Sequence, residues 1–158
     1  MSTITIPLSR YIRRKIKKLS NFPLVAKIFN LSVAKQESLR NQLLALDASK
    51  RKLLLMKKEK GKIDYRVVDL QNVQQVSVKK VYGSIPAGDL QTKKLNYYLQ
   101  SVSLQLRFKG GAEPVAVSFY ESRYNTIKQQ SFLEAAANKW EQFVSACCQN
   151  RLQWHRFK

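Results

Sequence analysis

Between Val102 and Phe108 the chain alternates strictly: Val102, Leu104, Leu106 and Phe108 are separated by Ser103, Gln105 and Arg107. A period of two puts one set of side chains on a core and the other in water, which predicts a strand. Lys109-Gly110-Gly111-Ala112 follows, and then Val115, Val117 and Phe119 alternate with Ala116, Ser118 and Tyr120. The two runs read as a hairpin turned by residues that tolerate positive φ, with Pro114 at the start of the return strand, where its missing donor matters least. Ser131 with Glu134 three residues on has the form of a capping box, and Leu133, Ala136, Ala137, Trp140, Val144 and Cys147 recur at helical spacing. A capped helix of about five turns is therefore expected, with Trp140 as its core anchor.

Upstream of this core the strand signals are shorter. Lys52 to Lys58 (KLLLMKK) is an apolar run between charges, Glu59-Lys60-Gly61-Lys62 makes a turn, and Ile63 to Leu70 (IDYRVVDL) is a second run rich in β-formers. Val73, Val76, Val78 and Val81-Tyr82 predict a third strand, with an irregularity near Gln74-Gln75 that a bulge would absorb. Residues 83–94 read as a polar loop.

The first third of the chain reads as helical. Ser9 can cap a helix in which Ile12, Ile16 and Leu19 form a narrow apolar seam among Arg10, Arg13, Arg14, Lys15, Lys17 and Lys18. Ser20-Asn21-Phe22-Pro23 breaks it, and Leu24, Val25, Ile28, Phe29 and Leu31 make an apolar patch. A further helix is expected from Ser32 to Leu46, with Leu39, Leu43 and Leu46 on one face, and Asp47-Ala48-Ser49 reads as a linker. The expected organisation is a basic helical extension over residues 1–48, an antiparallel β domain closed by a helix over 49–150, and a basic tail over 151–158.

Charge sharpens this division. Twenty-nine Lys and Arg against ten Asp and Glu give the chain +19. Residues 1–62 hold 16 basic and 3 acidic side chains, net +13, while residues 63–158 hold 13 and 7, net +6. Such a field attracts polyanions: anionic lipid, an acidic protein face or nucleic acid. No run approaches the roughly 20 apolar residues that span a bilayer. The N-terminus lacks the order of a signal peptide, so a cytoplasmic location, peripheral at the membrane, is the expectation.

The residues that carry reaction chemistry are sparse. His155 is the sole histidine, the acidic side chains are scattered singly, and no nucleophile elbow, His-Glu-x-x-His, Cys-x-x-Cys or Gly-rich phosphate loop occurs. Cys147 and Cys148 are adjacent, which suits neither a bridge between them nor a metal set, and both read as packed helix residues. No enzyme and no cofactor is expected.

Together, the short antiparallel strands, the phrase Val68-Asp69-Leu70-Gln71-Asn72-Val73 leading into a Val-rich strand, the late hairpin and the final helix with its Trp resemble a pleckstrin-homology-like (PH-like) domain over Lys52 to Cys148. That family usually has seven strands; five are read here, so two are either missing or hidden in residues 20–50. The resemblance implies an α+β fold and a non-enzymatic binding or scaffold module. In members that bind phosphoinositides a basic loop between early strands grips the phosphates, and the nearest counterpart is Lys57, Lys58, Lys60 and Lys62 with Arg66. The functional expectation is a module held at an anionic membrane face or on an acidic protein partner by Arg10, Arg13, Arg14, Lys15, Lys17 and Lys18, with Lys57, Lys58, Lys60, Lys62 and Arg66 as a second contact. The alternative is nucleic-acid binding by the same basic segment, with Tyr97, Tyr98 or Trp154 stacking on bases.

Overall fold

The computed structural model describes residues 3–4 and 22–149. The basic segment holding Arg10, Arg13, Arg14, Lys15, Lys17 and Lys18 lies outside the described residues, as does the tail from 150 on with Trp154 and His155. The chain divides into two compact units, residues 1–73 with 146–158, and residues 74–145.

The first unit is built on an antiparallel sheet of order β1-β5-β4-β3-β2, formed by β1 (Thr3–Ile4), β2 (Lys35–Ser38), β3 (Gln42–Asp47), β4 (Lys52–Glu59) and β5 (Lys62–Asp69). Residues 32–46 thus hold two strands and not the expected helix. The apolar run of β3 is buried throughout from Leu43 to Leu46, and a continuous apolar run buried on both faces has no period to separate strand from helix. The leucines at helical spacing were a coincidence of that run. β2 and β3 are thus two strands beyond the five expected from the sequence.

Pairing of Leu43 with Met56, Ala45 with Leu54 and Leu54 with Val67 puts these residues on one face. Val25, from a short helix (Phe22–Ile28), packs with them, flanked by Phe22, Phe29, Leu31, Val33, Ile63 and Tyr65. The apolar patch read at residues 24–31 exists, although Leu24 and Ile28 point outward. Pro23 sits in the first helical turn, where no donor is needed. Asn30 ends the helix at φ +54, while Leu31 N–H reaches Ala26 O at 2.8 Å and Asn30 N–H reaches Lys27 O at 3.1 Å, satisfying its last carbonyls.

Asp47-Ala48-Ser49 is the β3–β4 turn and not a linker; Asp, Ser and Ala compose either. Asp47 is fully buried and accepts from Ser32 N–H (2.9 Å), Ser49 Oγ (2.7 Å) and Lys50 N–H (2.9 Å), joining the turn to the segment before β2. Arg51 then adopts φ +55 and donates from Nε and a terminal nitrogen to the carbonyls of Cys147 and Cys148, both at 2.6 Å. Those carbonyls lie in the last turn of the long helix, so the guanidinium caps its C-terminal end.

In the second unit, β6 (Val73–Tyr82), β7 (Leu99–Phe108) and β8 (Val115–Glu121) form a sheet in that order. The alternation of β7 is as read: Val102, Leu104, Leu106 and Phe108 are buried. β6 runs unbroken through Gln74 and Gln75, and the irregularity lies elsewhere. Val102 faces Tyr120 while Ser103 faces Ser118, a bulge that leaves Phe119 and Tyr120 both 3% exposed.

The long helix (Gln130–Cys148) carries Ala137, Trp140, Val144 and Cys147 as its buried stripe. Its entry is set one turn earlier than expected: Thr126 and Gln129 form the capping box, and a 3-10 turn (Ile127–Gln129) leads into the helix. Ser131 is exposed, and Glu134 pairs with Lys80 of β6. Glu141 Oε2 accepts from Val78 N–H at 3.0 Å, fixing the helix to the same strand. The expected antiparallel α+β architecture is present, with eight strands (β1–β8) before the final helix among the described residues. Among the described residues the strands form two open sheets, and neither closes on itself as a barrel.

Candidate anionic-surface site

The β4–β5 hairpin turns through Lys60 (φ +51) and Gly61 (φ +75), the left-handed pair whose twist suits a two-residue connection. Glycine has no Cβ to oppose this, but Lys60 does. Lys60→Asn, an amide residue that tolerates the region, is expected to raise stability by about 0.5 kcal/mol in denaturant titration, with no loss elsewhere because Lys60 is exposed.

Lys57, Lys58, Lys60, Lys62 and Arg66 are all exposed, and the register decides where they point. Lys57 faces Asp64, Glu59 faces Lys62 and Leu55 faces Arg66, so Lys57, Lys62 and Arg66 share one face with two carboxylates. Lys57 Nζ lies 3.8 Å from Glu59. Lys58 faces Ile63 and therefore points to the opposite face, and Lys60 is at the tip. The five cations surround the hairpin end and do not converge on a single anion. This suits a broad electrostatic contact better than a grip on one phosphate.

The fold adds a cation that the sequence did not reveal. Lys58 N–H donates to Asn41 O at 2.8 Å, and Asn41 Nδ2 donates back to Lys58 O at 3.2 Å, so the β2–β3 turn sits beside the hairpin. This brings the exposed Arg40 to the same end of the sheet. Read as part of a helix, Arg40 has no relation to Lys58; only the strand register creates one.

The residues considered for base stacking separate. Tyr97 is 56% exposed. The Tyr98 hydroxyl instead donates to Asp89, and partial burial, that hydrogen bond and the Asp89 charge push its pKa up to about 12. Trp154 lies outside the described residues.

Cys147 is buried, which pushes its thiol up to about 11 despite the opposing charge of Arg51, with the Asp47 carboxylate adding to the rise. A thiol held protonated is a poor nucleophile, and its role is packing. Among the described residues no group of three His, Cys, Asp or Glu side chains could hold a metal ion, and no helix is long and apolar enough to cross a membrane.

No protein-family model and no curated protein matches the chain. Among solved structures it is similar to a pleckstrin homology domain from Shewanella amazonensis SB2B, at 16% identity and a TM-score of 0.38, over 73% of this chain and 95% of that one.

Proposed function

We propose that this chain is a non-enzymatic binding module that rests on an anionic membrane face of the cytoplasm, through the basic segment from Arg10 to Lys18 together with the cationic end of the first sheet. The observation that supports the reading is the end built by the β2–β3 and β4–β5 turns. Arg40, Lys57, Lys58, Lys60 and Lys62 are exposed there on a backbone fixed by paired strands, with Glu59 and Asp64 as the neighbouring carboxylates. Cations held on a rigid scaffold meet a charged surface without first losing loop entropy. An acidic protein face presents the same charge and is the competing partner within this reading.

At about 1 kcal/mol per cation near an anionic surface, changing Lys57, Lys58, Lys60 and Lys62 together to Gln is expected to weaken binding to phosphatidylserine-containing vesicles by roughly three orders of magnitude at low salt. Arg66, whose opposite neighbour is Leu55 further down the hairpin, should matter less. Unchanged binding of the fourfold variant would remove the hairpin from the site. Nucleic acid remains the alternative polyanion, and Tyr97 is the exposed ring that would serve it.

A further inference from the structure

At one end of the second unit, large apolar side chains stand in solvent: Leu95 is 46% exposed, Tyr97 56%, Ile127 55% and Phe132 70%. Phe132 lies in the first turn of the long helix, off its buried stripe. The backbone beneath them is not loose. Gln130, 4% exposed, donates from Nε2 to Asn96 O at 2.8 Å and to the Tyr120 hydroxyl at 3.3 Å. That amide ties the 3-10 turn Leu95–Tyr98 to the start of the helix, so the backbone that carries Leu95 and Tyr97 lies beside the backbone that carries Ile127 and Phe132. The capping box of Thr126 and Gln129 fixes the approach.

The charge around this end has a positive excess. Lys93 Nζ stands 5.0 Å from the Tyr97 ring centroid and Arg123 5.1 Å from that of Tyr124, and Lys94 and Lys128 are exposed close by in sequence. Lys93 pairs with Asp89, which also accepts from the Tyr98 hydroxyl, Arg123 pairs with Glu121 at 3.1 Å, and Glu134 pairs with Lys80, so the positive excess at this end rests on Lys94 and Lys128. Exposed apolar rings and chains interleaved with cations, on a chain of net charge +19, match the boundary layer of an anionic bilayer. There rings with polar tips sit at headgroup depth while Lys and Arg meet the phosphates.

We propose that Leu95, Tyr97, Ile127 and Phe132 form an apolar wedge that enters the interfacial layer of an anionic bilayer. This rests on the membrane reading above and adds to it a contact that salt does not screen. The electrostatic end of the first sheet governs capture at low salt; the wedge governs what remains at high salt.

The test uses the full chain with Trp154→Phe as background, phosphatidylserine-containing vesicles with brominated acyl chains, and three further proteins. These are Phe132→Trp, the triple Tyr97→Ser, Ile127→Ser, Phe132→Ser, and the fourfold Lys→Gln hairpin variant. The wedge is supported if the indole introduced by Phe132→Trp is quenched by the bromines while buried Trp140 in the background protein is not. The triple variant should also lose on the order of tenfold in binding at high salt, with low-salt capture largely kept. Absence of quenching, with the triple variant binding like the background protein, overturns the wedge and leaves the membrane reading standing. If the background protein ignores the vesicles at every salt concentration, the membrane reading and the wedge both fall. If instead the triple substitution converts a dimer to a monomer in light scattering, the patch is a self-association surface and the wedge is overturned.

Discussion

Trp140→Ala is expected to lower the unfolding free energy by about 3–5 kcal/mol, and the midpoint of thermal unfolding by roughly 10 °C. The indole is 3% exposed and meets the Phe143 ring edge-on, with centroids 6.1 Å apart. It lies on a buried stripe between Ala137 and Val144, small neighbours that cannot expand to fill the volume an alanine would leave. Trp140→Phe keeps most of the volume and should cost less than half as much. Phe132→Ala is the control on the same helix: at 70% exposure it should move stability by no more than about 0.5 kcal/mol. Equal losses at the two positions would mean that the helix does not face the way described.

Asp47→Ala should cost on the order of 2 kcal/mol, because it removes the buried acceptor shared by the N–H groups of Ser32 and Lys50 and the Ser49 hydroxyl at a partly buried turn. The effect depends on pH. Burial opposes ionisation of this carboxyl, but the N–H groups of Lys50 and Ser32, the Ser49 hydroxyl and the charge of Lys50 together outweigh it, holding the group below its ordinary value of 3.8. A depressed value in the folded state means that ionisation favours folding. The contribution is full above pH 3.8 and is lost as pH falls through the lower folded value. Urea titrations of wild type and Asp47→Asn across this window should show the largest gap near neutral pH and a narrowing gap in acid. A gap that widens in acid would show that the turn is held by something other than the carboxylate.

How far the chain could be read depended on how many faces each element buries. β7 and the long helix each bury one, so Val102 to Phe108 kept a clean period of two and Trp140, Val144 and Cys147 a helical one. β3 buries both, and its Leu43 to Leu46 run has no period; a helix and a linker were read where two strands and a tight turn stand. The capping motif was recognised in kind but placed on Ser131 and Glu134, since Thr126 with Gln129 fits the same form one turn earlier and only backbone geometry separates them. For the candidate site, the hairpin cations were legible as a local cluster. Their division between two faces was not, and neither was the approach of Arg40, because both follow from strand register. Phe132 and Ile127 fall off the apolar stripe, so hydrophobic periodicity does not mark them; only their exposure on a fixed backbone does.

Co-sedimentation of the full chain with vesicles tests the central claim most directly. Neutral and phosphatidylserine-containing vesicles would be compared at low and high salt, with duplex and single-stranded DNA as competitors. A second protein would have Arg10, Arg13, Arg14, Lys15, Lys17 and Lys18 changed to Gln, which leaves every strand of the first sheet in place, as a truncation at residue 49 would not. The account expects capture by anionic vesicles alone, substantial release by salt, and a loss of capture in the sixfold variant that the fourfold hairpin variant shares in part. Indifference to anionic vesicles, together with tight DNA binding that falls steeply with salt, would contradict it and assign the basic surface to nucleic acid.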